Sequence, residues 1–240
     1  MKIQQTKKNK VVAIIQARME SSRLPNKMFL YLHGFPICEW VYKRVKMSKN
    51  INKIIFAIPD TPANNILAWY LDSIGAEVFR GSENNLVDRF YQAANLSSAD
   101  EVVRICADNP LICASEIDKL IEFFKKDDCD YAFNHIPLNN NYPNGLGAEI
   151  CSMNLLKIIK EKAKKINHKE HLFNYILDNP SKYSIKTFDP IKKISYPELK
   201  LDIDTIEDYN SLLEKKYRID MSAEEIVYTA KHNGKIKRNE

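Results

Sequence analysis

Short runs of aliphatic and β-branched residues alternate along the chain with longer stretches whose apolar positions recur every three or four residues. Val11 to Gln16 is too short for a helix and reads as a buried first strand. Residues 17–36 are polar and broken by Pro25 and Gly34, which predicts a long loop; loops of that length in compact domains tend to carry function. Pro36 opens a helical stripe through Ile37, Trp40, Val41 and Val45, and Ile54 to Ile58 is a second buried strand. Ile66, Leu67, Tyr70, Leu71 and Ile74 mark a helix ended by a C-cap glycine at Gly75. A strand over Glu77 to Phe79, a helix over Leu86 to Leu96 and a fourth strand over Glu101 to Cys106 follow.

The spacing of Ser115 and Asp118 predicts a capping-box start for a helix reaching about Lys125. The rhythm then breaks, because Asn134 to Gly147 is rich in Asn, Pro and Gly; residues 134–150 are expected to leave the sheet as a lid or dimer arm. A helix from Met153, another over Glu170 to Leu177, and strands over Ser184 to Phe188 and Leu199 to Ile203 come next. Helices capped by Thr205 with Asp208 and by Ser222 with Glu225, the last stopping near Gly234, complete the pattern. Strand–helix alternation of this kind predicts one α/β domain over residues 1–240. Its sheet is mostly parallel, helices cover both faces, and ligands bind beyond the strands' carboxyl ends.

Composition removes several alternatives. At 240 residues and 45% apolar content the chain can bury a real core. No run approaches the roughly 18 to 20 apolar residues that span a bilayer, and Met1 to Lys10 lacks an apolar signal core, so a cytoplasmic protein without membrane contact is expected. Cys38, Cys106, Cys113, Cys129 and Cys151 form no C-x-x-C pair and read as buried thiols. The net charge of +5 is partly gathered at Lys7 to Lys10, Lys160 to Lys169 and Lys235 to Arg238; such runs are solvated faces or ends, and nucleic acid is not an expected partner.

The candidate chemistry starts in the loop after the first strand, where Arg18, Arg23 and Lys27 fall within ten positions. Arg offers phosphate a bidentate fork and Lys a compact charge, so this set suits a triphosphate, with Ser22 adding a hydroxyl; the alternative is a solvated basic loop. No Walker-type or dinucleotide-type glycine fingerprint is present. Asp108 follows the fourth strand, and Asp202 and Asp204 flank Ile203, where alternation puts them on one face. One or two carboxylates with substrate phosphates suffice for Mg²⁺, although Asp108 could instead cap the turn at Asn109-Pro110 and Asp204 the helix at Thr205.

The run from Ile14 to Met28, IIQARMESSRLPNKM, is followed in order by FRGSE from Phe79, LVDRF from Leu86, VRICADNPLI from Val103, YPNGL from Tyr142, KEH from Lys169 and LDIDT from Leu201. This ordered set resembles the cytidylyltransferases typified by spore-coat polysaccharide biosynthesis proteins, relatives of the acylneuraminate and 3-deoxy-manno-octulosonate cytidylyltransferases. The resemblance implies a Rossmann-like fold of nucleotidyltransferase type and transfer of CMP from CTP to a small anionic acceptor, by a homodimer.

It also assigns roles. Gln16, Ala17, Arg18, Ser22, Arg23, Lys27, Arg80, Ser82 and Asp88 would bind the nucleotide, and Arg18, Arg23, Lys27 and Asp108 would act in catalysis. Asp108, Asp202 and Asp204 would hold the metal, and Arg104, Tyr142, Asn144, Gly145, Glu149, Glu170 and His171 would meet the acceptor. Without the resemblance, Arg80 reads as a surface ion pair, Asp88 and Arg89 as an exposed helix face, and His171 as an ordinary helix histidine. The chain departs from the family pattern at three positions: glycine is usual where Asn26 stands and frequent where Glu20 and Ala107 stand. Two rival readings are a metal-dependent glycosyltransferase using a nucleotide sugar and a non-catalytic CTP-binding protein.

Overall fold

The structure is a computed structural model that describes residues 9–232. Along the chain run β1 (Val11–Gln16), β2 (Tyr31–Leu32), β3 (Phe35–Pro36), α1 (Ile37–Val45), β4 (Lys53–Pro59), α2 (Asn65–Ser73), β5 (Glu77–Gly81), α3 (Leu86–Leu96) and β6 (Glu101–Cys106). They continue as α4 (Ala114–Lys126), β7 (Tyr131–Phe133), β8 (Glu149–Ser152), α5 (Met153–Lys162), α6 (Ile166–Glu170), α7 (Asn174–Leu177), β9 (Ile185–Thr187), α8 (Ile206–Leu213) and α9 (Ala223–Lys231). Seven strands form one sheet in the order β5-β4-β1-β6-β8-β7-β9, and only β8 runs against its neighbours.

The two-residue period of β1 sorts its side chains between two cores. Val11, Ala13 and Ile15 face a cluster with Trp40 and Val41 of α1, Leu67 of α2, Leu120 of α4 and Ile226 of α9. Val12 and Ile14 face the opposite cluster, built from Phe90 of α3, Leu156 of α5 and Ile176 of α7. Helices therefore cover both faces, as the alternation predicts. No helix among the described residues is long and apolar enough to cross a membrane.

Several expectations are corrected. The loop after β1 holds a 3₁₀ turn at Lys27–Phe29 and a small hairpin, β2–β3, reversed at His33 and Gly34 with positive φ; the short hairpin has too few apolar residues to register as strands. No capping box forms at Ser115: α4 begins after Cys113 without a side-chain cap, and Asp118 instead accepts from the backbone amides of Lys49 and Asn50 beyond α1. The helix expected over Glu170 to Leu177 is two short ones, α6 and α7, broken at His171.

Leu199 to Ile203 is not a sheet strand. Its backbone pairs with loops, Leu201 N to Asn144 O at 3.0 Å and Ile203 N to Asp108 O at 2.8 Å, with a single bridge between Asn144 and Lys200. Strands β7 and β8 are additions to the predicted set. The chain leaves the sheet after Phe133 and re-enters at Glu149, so Glu149 and Ile150, counted with the 134–150 insertion, belong to a central strand. The capping boxes at Thr205 and Ser222 and the positive φ of Gly75 are as expected. The charge runs at Lys7 to Lys10 and Lys235 to Arg238 and the stop at Gly234 fall wholly or partly outside the described residues.

Candidate active site

The parallel strands β1, β4, β5 and β6 all end on one edge, where Gln16 lies level with Ala57 and Cys106. Beyond Gln16, Asn26 adopts the left-handed conformation at φ 57°, which Asn tolerates better than most residues. The resulting 3₁₀ turn carries Lys27 inward, where it is 9% exposed. Its Nζ donates to the carbonyl of Ile203 at 2.9 Å and to Asp108 Oδ2 at 3.2 Å, and lies 3.8 Å from Asp204 Oδ1. Arg23 donates to the same Asp204 oxygen at 2.8 Å. Arg18, Ser21 and Ser22, with Gln16 and Ala17, complete the wall of a polar cleft that also contains Arg23, Lys27, Asp108 and Asp204.

Asp204 is fixed from the other side by the cap of α8: the Asp208 carboxylate accepts from the Asp204 and Thr205 amides at 2.9 Å each. The structure does not bring Asp202 into the cleft wall; its Oδ1 accepts from Asn144 Nδ2 at 2.8 Å. Burial pushes the Asp202 carboxyl above its ordinary value of 3.8, Lys200 opposes this, and the charges of Asp204 and Asp108 add to it. Among the described residues no group of three or more His, Cys, Asp or Glu side chains is gathered closely enough to hold a metal unaided. Asp108 and Asp204 share one ammonium, however, so two hard oxygen donors stand within reach of a common cation. That pair fits an Mg²⁺ ion whose remaining ligands are phosphates and water.

Arg80, expected to bind the nucleotide, is tied down by Asp60 at 2.9 Å, Asn65 Oδ1 at 2.7 Å and the carbonyl of Thr61 at 3.0 Å. Ser82 is exposed, and its carbonyl accepts from Arg89 Nη1 at 2.7 Å. Asp88 is turned to α5, pairing with Lys160 at 2.9 Å, and is not brought to the cleft. Its neighbour Arg89 is only 3% exposed, so the exposed-face reading of that residue is corrected. Burial, then the repulsion of Arg18, lowers the Arg89 guanidinium to about 10, with Glu20 opposing. The signal was available: Arg89 falls on the helical stripe of Leu86, Phe90 and Ala93, where a charge is out of place.

Of the residues expected to meet the acceptor, Arg104 and Glu149 lie on strands. Register places Arg104 of β6 opposite Glu149 of β8, and Phe133 of β7 opposite the same residue. Arg104 forms a buried ion pair with Glu149 and also donates to Gln16 Oε1 at 3.2 Å, which joins this cluster to the cleft. Tyr131 donates to Glu149 at 2.5 Å, and His135 Nε2 lies 3.6 Å from it. Burial alone would raise the Glu149 carboxyl, but Arg104, His135 and Tyr131 outweigh it and hold it below the ordinary 4.5. Tyr131 and His135 were missed because neither belongs to a local motif.

Asn144 and Gly145 sit against the Leu201–Asp202 backbone. Gly145 has φ +88°, and a Cβ there would stand 2.9 Å from Asp202 N, so a side chain is excluded. Tyr142 is fully buried with its hydroxyl on Glu116 of α4 at 2.9 Å, while Glu170 and His171 are exposed at the end of α6. The structure thus gathers Arg104, Glu149, Asn144 and Gly145 beside the cleft and places Tyr142, Glu170 and His171 elsewhere.

A mostly parallel sheet between helix layers, with cations and carboxylates converging at its carboxyl edge and no glycine-rich phosphate loop, has the build of a nucleotidyltransferase. Comparison with known proteins narrows this. The chain belongs to the cytidylyltransferase family, whose model matches residues 12–236, and is a CTP-dependent nucleotidyltransferase. It is 35% identical over 212 residues to an uncharacterized protein of Methanocaldococcus jannaschii, covering 88% of this chain and 85% of that one. It is 30% identical over 234 residues to the spore coat polysaccharide biosynthesis protein SpsF of Bacillus subtilis, covering 94% and 95%.

Among solved structures, a cytidylyltransferase from Leptospira borgpetersenii superposes with a TM-score of 0.86 at 27% identity, covering 97% of this chain and 98% of that one. Two more distant neighbours share the fold. CMP:2-keto-3-deoxy-manno-octonic acid synthetase complexed with CTP has a TM-score of 0.65 at 15% identity, covering 85% and 97%. Rv0371c of Mycobacterium tuberculosis in complex with manganese has a TM-score of 0.59 at 15% identity, covering 85% and 98%.

Proposed function

We propose that the protein transfers CMP from CTP to a sugar acid or a sugar-like phosphate or phosphonate, releasing pyrophosphate, in the synthesis of surface polysaccharide. The observation that carries this reading is the convergence of Arg18, Arg23 and Lys27 with Asp108 and Asp204 on one cleft. An acceptor oxygen attacks the α-phosphorus in line; the new P–O bond forms as the bond to the β-phosphate oxygen breaks. Phosphoryl-type transfer depends mainly on positioning and charge neutralisation, and no side chain needs to form a covalent intermediate.

Arg18 and Arg23 hold the triphosphate through paired N–H donors, and Lys27 stabilises charge developing on the departing pyrophosphate. Asp108 and Asp204 would hold Mg²⁺, which supplies neutralisation of the phosphates and lowers the pKa of an acceptor hydroxyl. Arg80 and Ser82 are assigned to the cytosine, and Arg104, Glu149, Asn144 and Gly145 to the acceptor. The name of the Bacillus subtilis relative supports the polysaccharide context. Use of CTP fits a cytosolic enzyme, and the homodimer, with residues 134–150 as lid or arm, is part of the same proposal.

The deciding experiment is a pyrophosphate-release screen of CTP, ATP, GTP and UTP against sugar acids, sugar phosphates and phosphonates with Mg²⁺. Release with CTP and one acceptor class is expected. CTP binding without turnover on any acceptor, or consumption of a nucleotide sugar, would overturn the proposal.

A further inference from the structure

Asn64 ends a 3₁₀ turn at Pro62–Asn64 and occupies the N-cap of α2, where an Asn side chain ordinarily accepts from an amide of the first helical turn. Here it makes no such bond. Its Oδ1 instead accepts from the amide of Met19, 45 residues away, at 2.9 Å, and its Nδ2 donates to Glu20 at 2.8 Å and to Thr61 Oγ1 at 2.8 Å. Thr61 Oγ1 in turn donates to Glu20 at 3.0 Å. The Asn64 side chain is fully buried and its bond to the Met19 amide is sheltered from water, while the bonds to Glu20 and Thr61 reach out to the surface. The same turn holds the base side, because the carbonyl of Thr61 and the side chains of Asp60 and Asn65 are the partners of Arg80.

The geometry points to Asn64 as a positioning residue that locks the Met19–Glu20 stretch of the nucleotide loop to the turn anchoring Arg80. The triphosphate and base halves of the nucleotide site are thereby preset as one unit. Glu20 is the partner that Asn64 and Thr61 hold in this lock. Its carboxylate is drawn to Thr61 and Asn64 and does not line the cleft. Burial would raise the Glu20 carboxyl, but hydrogen bonds from Asn64 and Thr61 and the charge of Arg18 hold it below 4.5, in its accepting form.

This inference rests on the proposed CTP reaction, and the test separates the two. Steady-state kinetics of pyrophosphate release and calorimetric titration with CTP and UTP would be run on wild type, Asn64→Ala, Asn64→Asp and the double variant N64D/E20Q. Expected are a KM for CTP raised about tenfold in Asn64→Ala, roughly one lost buried hydrogen bond, with kcat changed less and CTP-over-UTP preference reduced. Asn64→Asp sets two carboxylates face to face and weakens CTP binding further. In N64D/E20Q the aspartate still accepts from Met19 and the new glutamine donates to it, so affinity returns towards wild type. Unchanged KM and nucleotide preference in a folded Asn64→Ala protein would overturn the inference, as would a double variant no better than Asn64→Asp. If wild type binds CTP but turns over no acceptor, the proposed reaction fails while the binding series still decides the role of Asn64.

Discussion

The polar cleft and the strand cluster beside it are constructed differently. In the cleft the cations come from a loop: Arg18 and Arg23 are exposed, Arg23 pairing with Asp204, while the buried Lys27 is held by Asp108 and the Ile203 carbonyl. In the strand cluster, Arg104 and Glu149 sit opposite each other in the sheet, 15% and 6% exposed at their side chains, with Tyr131 and His135 closing round the same carboxylate. The first arrangement leaves charge available to a ligand; the second satisfies its charges internally. Substitutions on the loop should therefore be felt in chemistry, whereas substitutions on the strands should be felt in stability as well.

The sharpest way to break that contrast is Glu149→Ala, which strands the Arg104 guanidinium in the interior. Losing one partner of a buried pair costs about 3 to 5 kcal/mol, so thermal unfolding should move down by on the order of 10 °C; an unchanged melting temperature would erase the distinction. Arg18→Ala should do the opposite, lowering turnover about 10² to 10³-fold while the melting curve stays put. Near-normal turnover in that variant would remove Arg18 from the assigned role.

Acid titration sharpens the comparison further. Glu149 is held below its ordinary 4.5 in the folded chain, so its contribution to stability is present above that value and is lost as pH falls through the folded pKa. Denaturant midpoints followed from pH 6 downwards should decline in wild type and decline less steeply in Glu149→Gln, whose baseline is already lower. The smallest effect should come from Thr205→Ala, which opens the capping box of α8 and costs about 1 kcal/mol. Because Asp208 of that cap also holds the Asp204 amide, a modest loss of turnover should accompany it, whereas Ser222→Ala at the equivalent cap of α9 should leave turnover unchanged.

The same division governs how much could be read from the chain. The nucleotide loop is contiguous, so Arg18, Arg23 and Lys27 announce themselves by spacing, and β1, β4 and β6 by aliphatic runs that both cores demand. The strand cluster is assembled from positions 104, 131, 135 and 149, which the register of β6, β8 and β7 brings together; the resemblance supplied Arg104 and Glu149, and nothing supplied Tyr131 or His135. β7 and β8 flank an Asn-, Pro- and Gly-rich stretch and are three and four residues long, too short for a period to show. Leu199 to Ile203 alternates like a strand, yet its amides answer to loops at Asn144 and Asp108. Capping-box spacing succeeded at Thr205 and Ser222 and failed at Ser115, because Asp118 is captured by the amides beyond α1.

The reversed direction of β8 has an evolutionary corollary. Since β7 finishes and β8 starts at the same rim, residues 134–148 form an excursion that departs from and returns to the catalytic side without crossing the molecule. Such a detour can lengthen, shorten or exchange its tip while every strand keeps its register and the Arg18–Lys27 machinery stays untouched. The tip of this excursion is thus mechanically decoupled from the strands that seat Arg104 and Glu149.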